Sequence, residues 1–261
     1  MDDQRRTRII AVVIAGSVLA VVWNAFSKVH VSSRRPAPSA PVAAVETVAP
    51  PAPTTTTQGN TAENAGPSYM DQLARAEIRR RIRASESITY LNEVVAATPD
   101  SVLHRWDNRV SNPVRVWLTP STVANFQPVF LDAIRAAFQR WEEVVPVRFN
   151  LNADSANAEV HFAWKIQFDI DRTGQTDLEW DPDGHLLNGV ITIATFDPKG
   201  LPLHPDDVRV VALHEIGHLV GLDHSPDSTD LMYAKGIVRD LSSRDIQTAR
   251  LLYELAPGSI R

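Results

Sequence analysis

The segment His214–His224, with the sequence HEIGHLVGLDH, constrains the fold of this chain more than any other stretch. Two histidines four positions apart project from the same face of an α-helix, so His214 and His218 can reach one ion if this segment is helical. Gly221 adopts positive φ easily, which predicts that the helix ends there in a turn. The turn would bring His224 back as a third ligand.

The residue types in this segment indicate which metal it would bind. The chain has no cysteine, so a metal must be held by histidine and carboxylate groups. Three neutral imidazoles leave the fourth tetrahedral position of zinc open, which is the catalytic rather than the structural arrangement. Glu215 follows the first ligand, where it can act as a base toward water at the metal. We therefore expect one catalytic zinc ion at His214, His218 and His224, with Glu215 as the catalytic base.

The extended pattern H-E-x-x-H-x-x-G-x-x-H is the zinc signature of the metzincins. The chain resembles their matrixin branch, the matrix metalloproteinase-like catalytic domain of peptidase family M10. Met232 stands where that family has the methionine of the Met-turn, which lies beneath the metal. The other stretches that resemble the family are Ala136–Trp141, His224–Ser225, Leu231–Tyr233, Leu241–Ser242, Asp245–Ile246 and Leu251–Tyr253.

The resemblance covers roughly residues 103–255 and implies both a fold and a function. The fold is α+β, with a twisted mixed β-sheet, an active-site helix and a C-terminal helix. The implied function is that of a zinc-dependent endopeptidase, which hydrolyses peptide bonds of protein substrates with metal-activated water. A non-proteolytic zinc-binding surface module that recognises peptides or cell-envelope material is the alternative, although such a module has no need of Glu215 as a base. A zinc hydrolase acting on a non-peptide amide is disfavoured by the Met-turn and the last helix.

The resemblance also places a substrate in extended form along an edge strand of the sheet, as in strand addition. The candidate edge is the segment 189–195, and the segment 233–240 would line the pocket for the side chain after the scissile bond. The predicted substrate contacts are Gly189, Val190, Ile191, Tyr233 and Arg239. Arg239 would either bias that pocket or form an exposed salt bridge. Tyr233 is also interpreted as structural, because related branches place a tyrosine ligand two residues after the methionine and here it follows directly.

Further metal sites of the family are not clearly matched. Vertebrate members carry a structural zinc and several calcium ions on a long loop that is short in this chain. His161 and His185 stand isolated and are interpreted as ordinary strand and turn residues. The spacing of Asp169 and Asp171 resembles the start of a calcium loop, but the twelfth position is Trp180 rather than Glu. Calcium therefore has only weak support.

The region before the resemblance divides by composition. Residues 9–26 are almost entirely apolar and predict an uncleaved transmembrane signal anchor, with a cleaved secretory signal as the alternative. Residues 1–8 would then form a cytoplasmic tail. Residues 27–67 are rich in Pro, Ala and Thr and predict a disordered linker. A helical pre-domain is predicted at 68–102, followed by the catalytic domain at 103–261.

Charge and these segments predict the partners. The formal net charge of −5 does not indicate nucleic acid binding. We expect a monomer that acts on proteins or peptides, contacts the membrane through residues 9–26, and holds its catalytic domain outside the cytoplasm. If the N-terminal segment is cleaved, the protein would be secreted. The arginine-rich stretch 79–83 predicts a solvated helix face, with lipid headgroup contact or a restraining role as alternatives.

Overall fold

The structure is a computed structural model of the chain, and it describes residues 67–98, 101–236 and 238–261. The predicted tail at 1–8, the predicted anchor at 9–26 and all but the last residue of the predicted linker lie outside the described residues. Within the described ranges, no helix is both long enough and apolar enough to cross a membrane.

A five-stranded mixed sheet forms the centre of the molecule, and a short two-stranded ribbon lies apart from it. The ribbon pairs β1 with β7, and the larger sheet has the order β3-β2-β4-β6-β5. The strands are β1 Val102–Leu103, β2 Arg109–Trp117, β3 Val147–Asn150, β4 Val160–Lys165, β5 Gly174–Trp180, β6 Leu186–Ala194 and β7 Gly258–Ser259. The spatial neighbours β3 and β2, β2 and β4, and β4 and β6 pair in parallel. The last strand in the order, β5, is antiparallel to β6. The predicted α+β fold with a mixed sheet is confirmed.

The predicted edge strand is wrong. The segment 189–195 falls largely in β6, which pairs with β4 on one side and with β5 on the other. Its backbone groups are therefore used within the sheet, and Ile191 is fully buried. The free edge beside the helix that carries the histidines belongs to β5, which in the described part of the chain pairs with β6 alone.

In the described part of the chain, five helices accompany the sheet: α1 Tyr69–Ala84, α2 Leu91–Ala97, α3 Val129–Glu142, α4 Pro205–Leu219 and α5 Ser243–Glu254. The apolar face of α3 buries Phe130, Ile134 and Phe138. At its end, the Trp141 indole N–H donates a hydrogen bond of 2.8 Å to the carbonyl of Leu213 in α4. This contact ties α3 to the helix that carries the zinc motif.

The boundaries of α4 follow from its sequence. Pro205 occupies the first turn, where a fixed φ and a missing N–H are tolerated, and Asp206 and Asp207 add negative charge at the positive end of the helix dipole. After the helix, Gly221 has φ +100°, and a Cβ there would lie 2.1 Å from the carbonyl oxygen of His104. Only glycine fits this turn, so the predicted helix end is confirmed.

Helices α1 and α2 pack on the C-terminal part of the chain. Ile82, Leu91 and Val94 are buried in the same apolar core as the sheet and α4. In the arginine-rich stretch, Arg79 donates to the carbonyl of Ile260 and Arg81 pairs with Glu254. The predicted solvated face therefore differs from the structure at these two arginines, because they hold α1 against the end of the chain.

Candidate active site

The three predicted ligands come together at one place. His214 and His218 project from the same face of α4, and His224 approaches them from the chain beyond the Gly221 turn. One ligand nitrogen from each of the three residues can be chosen so that all lie within 4.8 Å of one another. Among the residues that the structure describes, this is the one group of histidine, cysteine or acidic side chains with metal-binding spacing.

Hydrogen bonds fix the orientation of two of the imidazoles. The Nδ1 of His214 lies 2.9 Å from the carbonyl oxygen of Leu231, and the Nδ1 of His218 lies 2.9 Å from that of Leu222. A carbonyl oxygen can only accept, so each Nδ1 carries the proton and donates it. This tautomer leaves Nε2 with a free lone pair, which is the form in which a histidine binds a metal.

The surroundings also keep these side chains uncharged. Burial lowers the pKa of His214 and of His218. Burial and the two neighbouring histidines lower the pKa of His224 to about 2. Neutral imidazoles, fixed tautomers and an all-nitrogen donor set fit a zinc ion with an open coordination position.

Glu215 is buried between α4 and the edge strand β5. The hydroxyl oxygen of Thr176 lies 2.7 Å from its carboxylate Oε2 and 3.0 Å from its backbone carbonyl. A Cβ at Gly174 would lie 2.3 Å from the carboxylate Oε1, so a glycine is needed where the strand passes the acid. Burial raises the pKa of Glu215 above its usual range, which makes this carboxylate a stronger base than an exposed one.

The methionine turn lies beneath α4, as the resemblance implies. Met232 is fully buried, and a Cβ at Gly217 would lie 2.3 Å from its Sδ. Glycine in the middle of α4 therefore makes room for the methionine. The backbone N–H of Ser225 donates a 2.9 Å hydrogen bond to the Met232 carbonyl, which links the third-ligand segment to the turn.

A fully buried carboxylate holds the turn from below. Asp245, in the first turn of α5, accepts hydrogen bonds of 2.8 Å from the backbone N–H groups of Leu231 and Ser242. It also accepts a 2.9 Å bond from the hydroxyl of Tyr90. Its neighbour Arg244 has a separate role, because it pairs with carboxylates outside α5.

An open cleft of about 730 Å³ runs between β5, α4 and the segment after Met232. Its lining includes the three histidines, Glu215, Gly174, Gln175, Thr176, Val211 and Tyr233. Of the predicted substrate contacts, only Tyr233 lies on this cleft. Gly189 and Val190 border a separate groove that is also lined by residues of β4 and β5, and Ile191 is buried in the sheet.

Arg239 makes the salt bridge that was its alternative role, and it is not among the residues that line the cleft. Arg239 is exposed and pairs with Asp207 at 3.2 Å. Its neighbour Val238 lines the cleft instead.

The other suggested metal residues do not gather. The side chain of Asp169 is almost wholly exposed and lies 3.7 Å from Lys165, while Asp171 lies at the cleft. His185 contacts Asp181 within its own turn, at 3.0 Å. These contacts give no support to a calcium loop between β4 and β5.

Comparison with known proteins agrees with the site. The family model described as Matrixin, peptidase M10, matches residues 106–254, more than half of the chain. The chain belongs to the matrixin family. The resemblance first drawn from the zinc motif and the Met-turn is thereby confirmed. The matched region of this matrixin includes the whole five-stranded sheet, α3, α4 and α5.

Individual relatives are similar to this matrixin over part of its length. Metalloendoproteinase 1 of Glycine max is 30% identical over 153 residues, which cover 49% of this chain and 47% of that protein. Metalloendoproteinase 1-MMP of Arabidopsis thaliana is 33% identical over 120 residues, covering 38% and 30%. Stromelysin-2 of Rattus norvegicus is 30% identical over 138 residues, covering 49% and 29%. The chain thus spans less than half the length of these curated relatives.

Proposed function

We propose that this matrixin is a zinc-dependent endopeptidase that hydrolyses peptide bonds of protein substrates. The observation that carries the proposal is the placement of Glu215 beside three metal-competent histidines, in a cleft bordered by the edge strand β5. The relatives named as metalloendoproteinases support the same class of activity. A binding module would need the histidines but not a buried carboxylate next to them.

The residues would divide the chemistry among themselves. His214, His218 and His224 would hold zinc, which when bound polarises a scissile carbonyl and activates water. Glu215 would accept the proton of the attacking water and pass it to the leaving amine. Its raised pKa suits both transfers, because such a group gains and loses a proton more evenly near neutral pH.

The edge strand would hold the substrate. The backbone of β5 from Gly174 to Thr176 borders the cleft, and its outer N–H and C=O groups can pair with an extended peptide. This placement assigns strand addition to β5 instead of the segment 189–195. Tyr233 and Val238 would line the pocket for the side chain after the scissile bond.

The location of the protein is part of the proposal. The apolar run at 9–26 supports a membrane anchor with the catalytic domain outside the cytoplasm, or a secreted protein if that run is cleaved. N-terminal sequencing of the protein purified from membrane and soluble fractions tests this. An intact N-terminus in the membrane fraction would support the anchor, and a start beyond residue 26 in the soluble fraction would overturn it.

The catalytic proposal is tested with Glu215→Gln. This variant should retain zinc by elemental analysis and lose at least about a hundredfold in the rate of hydrolysis of a quenched peptide library, the usual scale for removal of a general base. Glu143→Gln, which changes an exposed glutamate after α3, is the matched control and should cleave at the wild-type rate. Near wild-type cleavage by Glu215→Gln would overturn the mechanism, and a zinc-loaded wild-type protein without chelator-sensitive cleavage would favour the binding module.

A further inference from the structure

The loop between α1 and α2 reaches the support of the metal site, although both helices lie before the matched matrixin region. Tyr90, immediately before α2, is fully buried. Its hydroxyl donates a 2.9 Å hydrogen bond to Asp245 Oδ1, and its backbone N–H donates a 3.1 Å bond to the Thr248 hydroxyl. Both partners lie in α5, so this tyrosine is fixed at two points.

The hydrogen bond to Asp245 is the first of a series that ends at a metal ligand. The second oxygen of Asp245 accepts a 2.8 Å bond from the N–H of Leu231. The carbonyl of the same Leu231 accepts a 2.9 Å bond from Nδ1 of His214. Three hydrogen bonds thus join the Tyr90 hydroxyl, through one carboxylate and one peptide residue, to the first histidine of the site.

The energetic role of the hydroxyl follows from the burial of Asp245. A carboxylate with no exposed surface is stable only when donors surround it, and the loss of one donor leaves a buried acceptor unsatisfied. Burial and the nearby carboxylate raise the pKa of Tyr90 far above its ordinary value, so its hydroxyl remains a donor at physiological pH. The guanidinium of Arg244 lies over the Tyr90 ring, 5.6 Å from its centre, which is within the range of a cation–π contact.

We propose that Tyr90 is a positioning residue for the metal site, and that the helical segment 68–98 is a built-in support of the Met-turn rather than an occupant of the cleft. The identity of the ion rests on the proposed function. The tyrosine acts by holding Asp245, and Asp245 in turn fixes the peptide of Leu231 that orients His214. The aromatic ring packs the segment, and the hydroxyl carries the coupling to the metal.

The test uses Tyr90→Phe in the full chain, because this change removes the hydroxyl and keeps the ring. The variant should bind zinc about 3–10-fold more weakly in competition with a chromophoric chelator, less than the loss of about 10–100-fold that follows when a direct partner of a ligand is removed. Exchange of the Leu231 amide hydrogen should become about tenfold faster, since that N–H donates to the carboxylate that lost its donor. The visible spectrum of the cobalt-substituted protein should also shift.

Two control variants separate this role from general packing. Tyr253→Phe removes the buried hydroxyl of another tyrosine, which lies on α5. This change should leave zinc affinity and the exchange of the Leu231 amide hydrogen unchanged. Thr248→Val removes the acceptor of the Tyr90 backbone N–H; it should lower the melting temperature while zinc affinity stays within about twofold of wild type. The proposal is overturned if Tyr90→Phe leaves zinc affinity and Leu231 amide exchange unchanged, as Tyr253→Phe should. It is also overturned if Thr248→Val weakens zinc binding as much as Tyr90→Phe does.

These readouts do not depend on catalysis. Zinc affinity, amide exchange and the cobalt spectrum are measured without substrate. A wild-type protein that binds zinc but cleaves no peptide would therefore contradict the proposed function and leave the role of Tyr90 open to the same comparison. Conversely, an active peptidase whose Leu231 amide exchange is unchanged by Tyr90→Phe would contradict the positioning role of Tyr90 and leave the proposed function intact.

Discussion

The histidine site is supported by the Met-turn on one side and by the edge strand β5 on the other, and the two supports differ in how their polar groups are satisfied. On the Met-turn side, Leu231 and Asp245 bond to each other and are buried. On the strand side, the backbone from Gly174 to Thr176 borders an open cleft. The polar groups of the Met-turn side are paired within the protein, and we call it the closed side. The backbone groups of the strand side can pair with a bound peptide, and we call it the open side.

This difference separates two tasks that a metallopeptidase site must perform. The closed side orients the ligands and must not move when substrate arrives. The open side holds Glu215, the proposed base, through the Thr176 hydroxyl, next to the strand edge where a peptide would pair. Changes on the closed side should therefore alter metal retention and stability, whereas changes on the open side should alter the rate and spare the metal.

The largest expected effect is that of removing the third ligand, which approaches from the closed side. His224→Ala should weaken zinc binding more than about a hundredfold, because loss of an outer partner alone costs about 10–100-fold. Chelator competition with elemental analysis measures this. His161→Ala, which changes a histidine of β4 outside the site, should retain the metal. Undiminished zinc in His224→Ala would refute the three-histidine site.

A smaller effect is expected from filling the space above the methionine. Gly217→Ala would place a Cβ 2.3 Å from the Met232 Sδ and 3.1 Å from the ring of Trp141. Overpacking costs about 1–3 kcal/mol, whereas alanine in place of glycine favours the helix by about 1 kcal/mol. Denaturant unfolding should therefore show a net loss of up to about 2 kcal/mol, the difference between these two terms.

A double mutant cycle assigns that loss to the methionine. In the background of Met232→Ala the side chain that clashes is gone, so the same glycine change should cost less or become stabilising. An equal cost in both backgrounds would show that the destabilisation arises elsewhere, and the closed side would then be less tightly packed than the structure indicates.

The features that could be predicted from the sequence are those that depend on neighbouring residues. The i, i+4 spacing of His214 and His218 requires only a helix, and Gly221 requires only a turn. Both follow from local geometry, as does the capping box of Ser242 and Asp245 at the start of α5. The methionine turn came from the family resemblance and not from any local rule.

What the sequence could not supply depends on distant pairing. The outer position of β5 is fixed when β4 pairs in parallel with β6, and no pattern within either strand reports that choice. Tyr90 and Asp245 are separated by 155 positions. Gly217 did carry a signal, because a glycine inside a helix costs about 1 kcal/mol and so points to a packing need. Thr176 carried none, since threonine is common in strands.

The smallest effect concerns the open side and isolates the hydroxyl of Thr176. Thr176→Val keeps the branched shape and removes the donor 2.7 Å from the Glu215 carboxylate. One hydrogen bond is worth about 1 kcal/mol, so the rate of peptide hydrolysis should fall about 3–10-fold. Zinc affinity should stay unchanged, because the Thr176 hydroxyl bonds to Glu215 and not to a histidine or to the Met-turn.

Thr176→Ser is the matched variant, since it restores the hydroxyl while removing a methyl group. It should recover most of the rate lost in Thr176→Val, because the donor to Glu215 is again present. If the serine variant is as slow as the valine variant, strand packing rather than the hydrogen bond orients the base. If the valine variant instead releases zinc, the two supports are coupled, and the separation between a metal-retaining side and a substrate-facing side fails.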